Sequence, residues 1–202
     1  MVELAAGLAP IELLGDIVVR NGQQVTFAGN LNTLRLRDRQ VRVEHGGELV
    51  LEAVIVTDSS GSSAILVEGK LVLRSSTVRN CTARMNVFSD EGLQSRGGGL
   101  HVTGGGWAEV HDCQVELNTV REGMQHSEGG AIYAANGSKV RVLGTNTLTN
   151  SALAGSTSSK GGAIAVVGGS SISLIGVALS RNIAERGRSR SEGGADSEVQ
   201  RF

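Results

Sequence analysis

The chain has 202 residues, a formal net charge of −1 and an aromatic content of only 2% beside 29 glycines. This length suits one domain with a well-buried core, and the balanced charge excludes the usual electrostatic footprint of a nucleic-acid-binding protein. With so few rings, we expect a core of small and β-branched aliphatic side chains in layers, which suits a solenoid better than a globule.

Residues 1–10 have no basic stretch followed by a continuous apolar run, and no later segment reaches the ~18 apolar residues of a membrane span. Neither a signal peptide nor a direct membrane span is therefore predicted, which would mean a cytosolic protein if the chain is complete. The fourth Gly-Gly-Ala start at 193–195 is also consistent with excision from a longer protein. If that protein is secreted, its location is extracellular or at the cell surface. Cys81 and Cys113 are too few for a disulfide scaffold, so their redox state stays open.

Residues 11–61 are predicted to form the N-terminal coils. Short aliphatic runs alternate there with turn signals such as Asn21-Gly22 and Gly29-Asn30, which predicts strands of only three or four residues. No helical period separates these runs, so the chain is predicted to be all-β. Strict alternation predicts that four aliphatic side chains face the core while the arginines between them face water: Leu34, Leu36, Val41 and Val43.

Residues 62–96 are predicted to form an irregular coil with a long loop. The run Ala64-Ile65-Leu66-Val67 takes the place of the Gly-Gly-Ala-Ile phrase of the later copies, and Asn80 takes the place of their repeated asparagine. The segment from Thr82 to Arg96 is expected to protrude from the body. Inserted loops of this kind are where repeat proteins usually carry function.

The rest of the chain repeats every 32 residues. A phrase beginning Gly-Gly starts at positions 97, 129, 161 and 193. These starts define regular coils at 97–128, 129–160 and 161–192, and they leave 193–202 as a truncated coil or tail. A repeat of this length is one supersecondary unit that buries its apolar face by stacking on its neighbours.

Within each copy, two strands with one buried face are predicted on either side of a glycine turn, followed by a third short strand. Some ten variable residues, such as Leu153 to Lys160, then close the unit. The columns predicted to face the core include these residues: Leu100, Ile132, Ile164, Val140 and Val142. The alternating column is predicted to face outward: His101, Tyr133 and Ala165. Ile132→Ala is therefore expected to cost about 2 to 5 kcal/mol of stability, and Tyr133→Ala little.

Three strands and three bends per copy describe one coil of a parallel β-helix. The Gly-Gly-Ala-Ile phrase followed by Asn-x-Ala, as in Asn150-Ser151-Ala152, resembles the repeats of chlamydial polymorphic outer membrane proteins. More broadly, residues 11–195 are similar to the right-handed β-helix repeats of the pectin-lyase-like superfamily. The resemblance implies a single right-handed parallel β-helix of about six to seven coils.

Three motifs have alternative interpretations. The repeated asparagines are expected to form an amide ladder inside a bend, with ligand binding as the alternative: Asn118, Asn150 and Asn182. The glycine-rich segment 97–106 lacks the following helix and lysine of a phosphate loop, which favours turns. His111 and Cys113 would point the same way on a strand and could ligate a metal, but no second pair at ligand spacing accompanies them.

The resemblance to pectin-lyase-like enzymes implies clustered acidic metal ligands with a basic catalytic residue, or clustered aspartates. In this chain the aspartates are scattered: Asp16, Asp38, Asp58, Asp90, Asp112 and Asp196. Glu109 and Arg141, which share an outward column, are interpreted as a surface ion pair. No catalytic residue, metal ligand or cofactor is therefore predicted.

The predicted function is a non-catalytic, adhesin-like β-helix segment whose loops and sheet faces bind a protein or glycan partner, without nucleic acid. The alternative is a carbohydrate-active enzyme, either a polysaccharide lyase or a hydrolase. A third interpretation, an ice-binding solenoid, needs a regular threonine column, whereas Thr145, Thr147 and Thr149 occur in one coil only.

The end of the last complete coil is the final predicted feature. No apolar column follows it, so its strands are expected to present open edges, which recruit further strands. End-to-end self-association through this coil is therefore expected. The edges lie around three residues: Ile164, Ile172 and Leu179.

Overall fold

The structure is a computed structural model that describes residues 2–3, 9–84, 94–121, 126–153, 158–185 and 190–192. Throughout this part of the chain the regular elements are β-strands, which confirms the predicted all-β class. The first half contains β1 (Val2–Glu3), β2 (Ile11–Glu12), β3 (Ile17–Val19), β4 (Gln24–Arg37), β5 (Val41–Val43), β6 (Glu48–Gly61), β7 (Ile65–Val67), β8 (Lys70–Arg74), β9 (Thr77–Arg79), β10 (Thr82–Arg84), β11 (Gln94–Arg96), β12 (Leu100–Val102) and β13 (Trp107–His111). The second half contains β14 (Gln114–Glu116), β15 (Thr119–Arg121), β16 (His126–Glu128), β17 (Ile132–Ala134), β18 (Lys139–Leu143), β19 (Asn146–Leu148), β20 (Ser151–Leu153), β21 (Ser158–Lys160), β22 (Ile164–Val166), β23 (Ser171–Ile175), β24 (Ala178–Ser180), β25 (Ile183–Glu185) and β26 (Arg190–Glu192).

The strands form three parallel sheets. The largest has 16 strands, with a main path β23-β18-β13-β8-β6-β10-β15-β20-β25. A six-stranded sheet has the order β22-β17-β12-β7-β5-β3, and a four-stranded sheet has the order β11-β16-β21-β26. Neighbouring strands are far apart in sequence because parallel pairing needs a long crossover connection.

The register between neighbouring strands follows the sequence repeat. Leu100 pairs with Ile132, and Ile132 pairs with Ile164, in steps of 32 residues. In the N-terminal part the step is shorter, since Val41 pairs with Ile65 only 24 positions later. Like residues therefore lie above one another, and a shift by one residue would turn each strand over.

The strands β4 and β6 are much longer than the three or four residues predicted for this region. Each has 14 residues. The expected breaks are instead bends within a continuous strand: Asn30 and Leu31 have φ of 46° and 62°, and Ala53 and Asp58 have φ of 50° and 60°. The turn signal at Gly29-Asn30 thus marks a left-handed bend, where the register between β4 and β6 also shifts.

Each regular copy contains five strands rather than the predicted three. In copy 129–160 these are β17 to β21; of the segment predicted to close the unit, Leu153 ends β20 and Ser158–Lys160 form β21, while residues 154–157 lie outside the described residues. We call the last two strands of each long copy a wing; the wings are β10 with β11, β15 with β16, β20 with β21, and β25 with β26. Wing strands of successive copies stack in parallel.

The segment from Thr82 to Arg96, which is predicted to protrude as a loop, is described only at its two ends. Both ends of that segment are strands, β10 and β11, and residues 85–93 lie outside the described residues. The buried columns of the wings are made of small residues: Ala83, Val120, Ala152, Ser95, Ser127 and Ser159. Because serine occupies buried positions there, the sequence shows no apolar–polar alternation. The pattern therefore predicted polar loops in place of these strands.

The wings of the three regular copies begin at a tight contact with the start of their own copy. A Cβ atom on Gly130 would lie 2.5 Å from the backbone nitrogen of Ser151, the first residue of β20. Residue 130 must therefore be glycine, because any side chain would push the two segments apart. The contact brings residues 130 and 151 of one copy together where the wing leaves the body.

The core confirms the predicted alternation in the body. An aliphatic cluster runs through it from Val19 to Val142, with Ile164 and Ile172 packed against it at partial burial. Residues predicted to face inward are at most 3% exposed: Leu34, Leu36, Val41, Val43, Ile132, Val140 and Val142.

The repeated asparagines occupy the bend between the body and the wing. Asn118 Nδ2 donates a hydrogen bond to Asn150 Oδ1, and Asn150 Nδ2 donates one to Asn182 Oδ1, both at 3.1 Å. Asn150 Oδ1 also accepts the backbone N–H of Asn118 at 3.0 Å. All three residues are buried, so these bonds satisfy amides that water does not reach.

The first position in this column belongs to Cys81, not to Asn80 as predicted. The backbone nitrogen of Cys81 donates to Asn118 Oδ1 at 3.1 Å, as the nitrogen of Asn118 does to Asn150. Asn80 lies one position earlier, in line with Leu117, and the two have φ of 53° and 55°. Asparagine tolerates this left-handed conformation, which explains its presence beside the column.

Among the residues that the structure describes, no helix has the length and apolarity to cross a membrane. The predicted tail at 193–202 lies outside these residues.

Candidate functional site

A groove lies where the wings begin, on the outer face of the six-stranded sheet. Its volume is about 370 Å³. We call it the arginine groove and define it by six of its lining residues: Arg42, Leu66, Glu68, Arg84, Arg96 and His101. The sheet supplies its floor, and the first wing, β10 with β11, supplies one wall.

The floor is a column of residues that the sheet register places side by side. Arg42 of β5 pairs with Leu66 of β7, which pairs with His101 of β12. Neighbouring strands are about 4.8 Å apart, so these side chains follow one another along the sheet. They alternate with the buried residues Val41 and Val43, and they therefore point away from the core.

Hydrogen bonds hold the side of the groove towards the N terminus. Arg42 Nη2 lies 3.1 Å from Glu68 Oε2. Gln40 Nε2 donates to the carbonyl of Ser63 at 2.8 Å, and the Ser63 hydroxyl donates to the carbonyl of Arg96 at 2.8 Å. The last bond joins the segment before β7 to the first wing, so the groove is framed by fixed groups.

A cluster around Tyr133 closes the other side and corrects the prediction that Tyr133 faces water. Tyr133 is only 2% exposed. The His101 ring meets it edge-on with centroids 5.1 Å apart, and the Arg96 guanidinium carbon lies 5.0 Å from its ring centroid. The wing therefore leans over the outer face of the sheet, and Tyr133 packs beneath it by a cation–π contact.

His101 has a shifted titration because of this cluster. Burial, the larger cause, and the positive charge of Arg96 together lower the pKa of His101 to about 4. At neutral pH the ring is uncharged, and the arginines supply the positive charge of the groove.

A second, shallower groove surrounds Trp107, at the turns between the six-stranded and the largest sheets. Glycine turns line it, including Gly69 and Gly105, together with the ion pair of Lys70 Nζ and Glu48 Oε1 at 2.8 Å. The indole is 39% exposed. A Cβ on Gly69 would lie 2.3 Å from a backbone oxygen, so this turn needs glycine.

Trp107 is tied to the next outward residue of its strand. Burial tends to raise the pKa of Glu109, but hydrogen bonds from His111 and Trp107 outweigh it and lower that pKa. Glu109 Oε2 lies 3.3 Å from His111 Nε2, whereas Arg141, its predicted ion-pair partner, adds only a weaker attraction. The predicted pair thus shares a column, as expected, but His111 makes the closer contact.

The predicted pair of His111 and Cys113 does not point in one direction. Asp112 between them has φ of 51° and bends the chain. Cys113 turns into the core, where its thiol donates to the carbonyl of His111 at 3.1 Å, and burial raises its pKa to about 11. Burial likewise raises the pKa of the Cys81 thiol, to about 12. Both cysteines are free and buried, and no group of metal-binding side chains occurs in the described ranges.

Several acids of the described surface face bases on neighbouring strands. Their closest contacts are Glu12 with Arg37 at 2.7 Å, Asp58 with Arg35 at 3.5 Å, Glu68 with Arg42 at 3.1 Å, and Glu48 with Lys70 at 2.8 Å. Each carboxylate therefore has a cationic neighbour one step along the stack, an arrangement that links layers.

Thr145, from the threonine-rich coil, is buried and bonds to backbone carbonyls instead of facing water.

Sequence reasoning missed both the wings and the arginine groove. The serines at 95, 127 and 159, spaced by 32 residues, were the available signal for a buried wing column. Comparisons of this chain with family models, with curated proteins and with solved structures find no match. The candidate sites therefore depend on the geometry of the chain itself.

Proposed function

We propose that the strands form a single right-handed parallel β-helix of about six to seven coils. The six-stranded sheet, with one strand from each successive coil, supports the count. The handedness follows from the general rule that crossovers between parallel strands of a sheet are right-handed. The sequence resemblance to chlamydial and pectin-lyase-like repeats agrees with this architecture.

We propose further that this β-helix segment is not catalytic and binds a macromolecular partner through its outer surface. The arginine groove is the observation that carries this proposal. It is open, lies between a wing and a sheet, and holds three arginines, of which Arg42 and Arg96 are positioned by contacts with Glu68 and Tyr133. The acids beside it are engaged with arginines, an arrangement suited to holding layers and ligands together rather than to paired acid–base chemistry.

The experiment separates binding from turnover. The purified chain is incubated with pectin and alginate, and the release of reducing and unsaturated ends is measured; in parallel, its binding to immobilised peptides and glycans is recorded. We expect saturable binding to one class of partner without release of ends. Release that one aspartate substitution, such as Asp58→Asn, abolishes would support the enzyme alternative and contradict this proposal.

A further inference from the structure

We propose that the arginine groove binds an extended acidic peptide segment of a partner protein. This inference rests on the proposed binding function and names the partner class at that site. The residues that recognise the peptide are Arg42, Arg84 and Arg96 for its carboxylates and Leu66 for an aliphatic side chain between them.

Charge is the first argument. The lining holds three guanidinium groups and one carboxylate, that of Glu68, while His101 is neutral at physiological pH. Glu128, which pairs with Arg96 across the wing strands, offsets part of this charge from outside the lining. The groove is still net positive on a chain whose overall charge is −1, so it attracts an anionic segment selectively.

Positioning is the second argument. Arg42 is held by Glu68, and Arg96 is held over the ring of Tyr133. A guanidinium carries five N–H donors in a rigid fork, so the contact of Arg42 Nη2 with Glu68 leaves other donors of Arg42 for a ligand carboxylate. Side chains that are already fixed lose little conformational entropy when they bind.

The third argument favours a peptide over an acidic glycan. Leu66 lies partly exposed between Arg42 and His101 and offers an aliphatic contact. Tyr133, the described phenol ring that packs against His101 of the groove, is buried and offers no open face for a sugar to stack on. In addition, β11 is the first strand of the four-stranded sheet and, among the described strands, it pairs with β16 on one side only, so an extended backbone can pair with its other edge.

The test uses the whole chain and a fluorescein-labelled octapeptide in which glutamate alternates with valine. We expect binding by fluorescence anisotropy, weakened about tenfold by Arg84→Glu and by Arg42→Glu. Arg84 is exposed, so its substitution leaves the fold intact, and thermal unfolding checks both variants. Arg20→Glu, at an exposed arginine outside the groove lining, is the matched control and should bind like the wild type.

Two further probes separate the outcomes. An octapeptide with the same charges but with every second amide N-methylated should lose binding. The unmethylated octapeptide, when bound, should slow hydrogen exchange in β11. Equal binding of the methylated peptide, or tighter binding of a polyuronate with the same arginine dependence, would overturn the peptide inference. No peptide binding, or groove variants that bind like the wild type, would also overturn it, while binding of another partner would leave the proposed function standing.

Discussion

Asn150 is the residue on which most side-chain hydrogen bonds of the buried asparagine column converge. Its Oδ1 accepts from both nitrogens of Asn118, and its Nδ2 donates to Val115 O and Asn182 Oδ1. Asn150→Ala should lower the free energy of unfolding by about 3 kcal/mol, because several buried polar groups lose their partners. Chemical denaturation measures the loss. Asn21→Ala, at an exposed turn, should cost under about 1 kcal/mol, and equal losses would contradict a structural role for the column.

His101 predicts a pH dependence of stability. Its pKa is about 4 in the folded chain, against an ordinary value of 6.5 expected after unfolding. Between these pH values the unfolded chain binds a proton that the folded chain does not, so the free energy of unfolding falls as the pH drops from 6.5 towards 4. Below that range the stabilisation is fully lost and the contribution is constant.

The measurement is thermal unfolding of the wild type and of His101→Phe between about pH 5 and 7. The variant keeps an aromatic ring beneath Arg96 but has nothing to titrate there. We expect the unfolding temperature of the wild type to fall relative to that of the variant as the pH is lowered from about 7 to 5. A difference that stays constant across the range would show that His101 is not protonated on unfolding.

At the scale of the elements, the bend before each wing is set by one left-handed residue. Leu117 occupies this place with φ of 55°, where the preceding copy has Asn80 with φ of 53°. Leu117 is 48% exposed, so little packing is lost on substitution. Leu117→Asn should raise the free energy of unfolding by about 0.5 to 1 kcal/mol, because asparagine adopts this conformation with less strain.

The reciprocal substitution is the control. Asn80→Leu should lower stability by a similar amount, measured by the same denaturant titration. If both substitutions destabilise the chain, side-chain contacts rather than backbone conformation decide the residue at this bend.

The body of the fold could be predicted from the sequence because its strands alternate aliphatic and polar residues, as Leu34 and Leu36 show. The 32-residue step also gave the register that pairs Leu100 with Ile132. The wings could not be predicted, because Ser127 and its equivalents are buried although they are polar. The prediction that Tyr133 faces water was wrong for the same reason, because a wing that the sequence pattern did not indicate covers the outward column.

At the scale of the whole molecule, the last described copy presents apolar side chains at the end of the stack. Ile164 and Ile172, at the predicted edge, pack partly against the core. The exposed side chains lie beside them, with relative exposures of 37% to 51%: Val166, Val167, Ile175 and Ile183. We propose that chains associate through this end, where the edge strands β22 to β25 offer pairing positions.

Sedimentation of the wild type against the double variant Ile175→Lys with Ile183→Lys tests this association. The variant should remain monomeric at concentrations where the wild type associates, and both should keep the same unfolding midpoint within error. Leu14→Lys, at a residue 93% exposed elsewhere on the chain, is the matched control and should associate like the wild type. A wild type that is monomeric at high micromolar concentration would contradict the proposal.

The constant register of the regular copies makes one copy replaceable by the next. Excision of residues 129–160 joins Glu128 to Gly161, and it sets Leu100 against Ile164 and Asn118 against Asn182 with every column preserved. We expect this shortened chain to unfold cooperatively with an unchanged β-type circular dichroism spectrum. Excision of residues 129–159 should abolish cooperative folding, because one extra residue turns each following strand over. The length of the stack is therefore set by the number of copies, at about 4.8 Å for each copy. Recombination between copies can thus lengthen or shorten the protein without changing the surface that each layer presents.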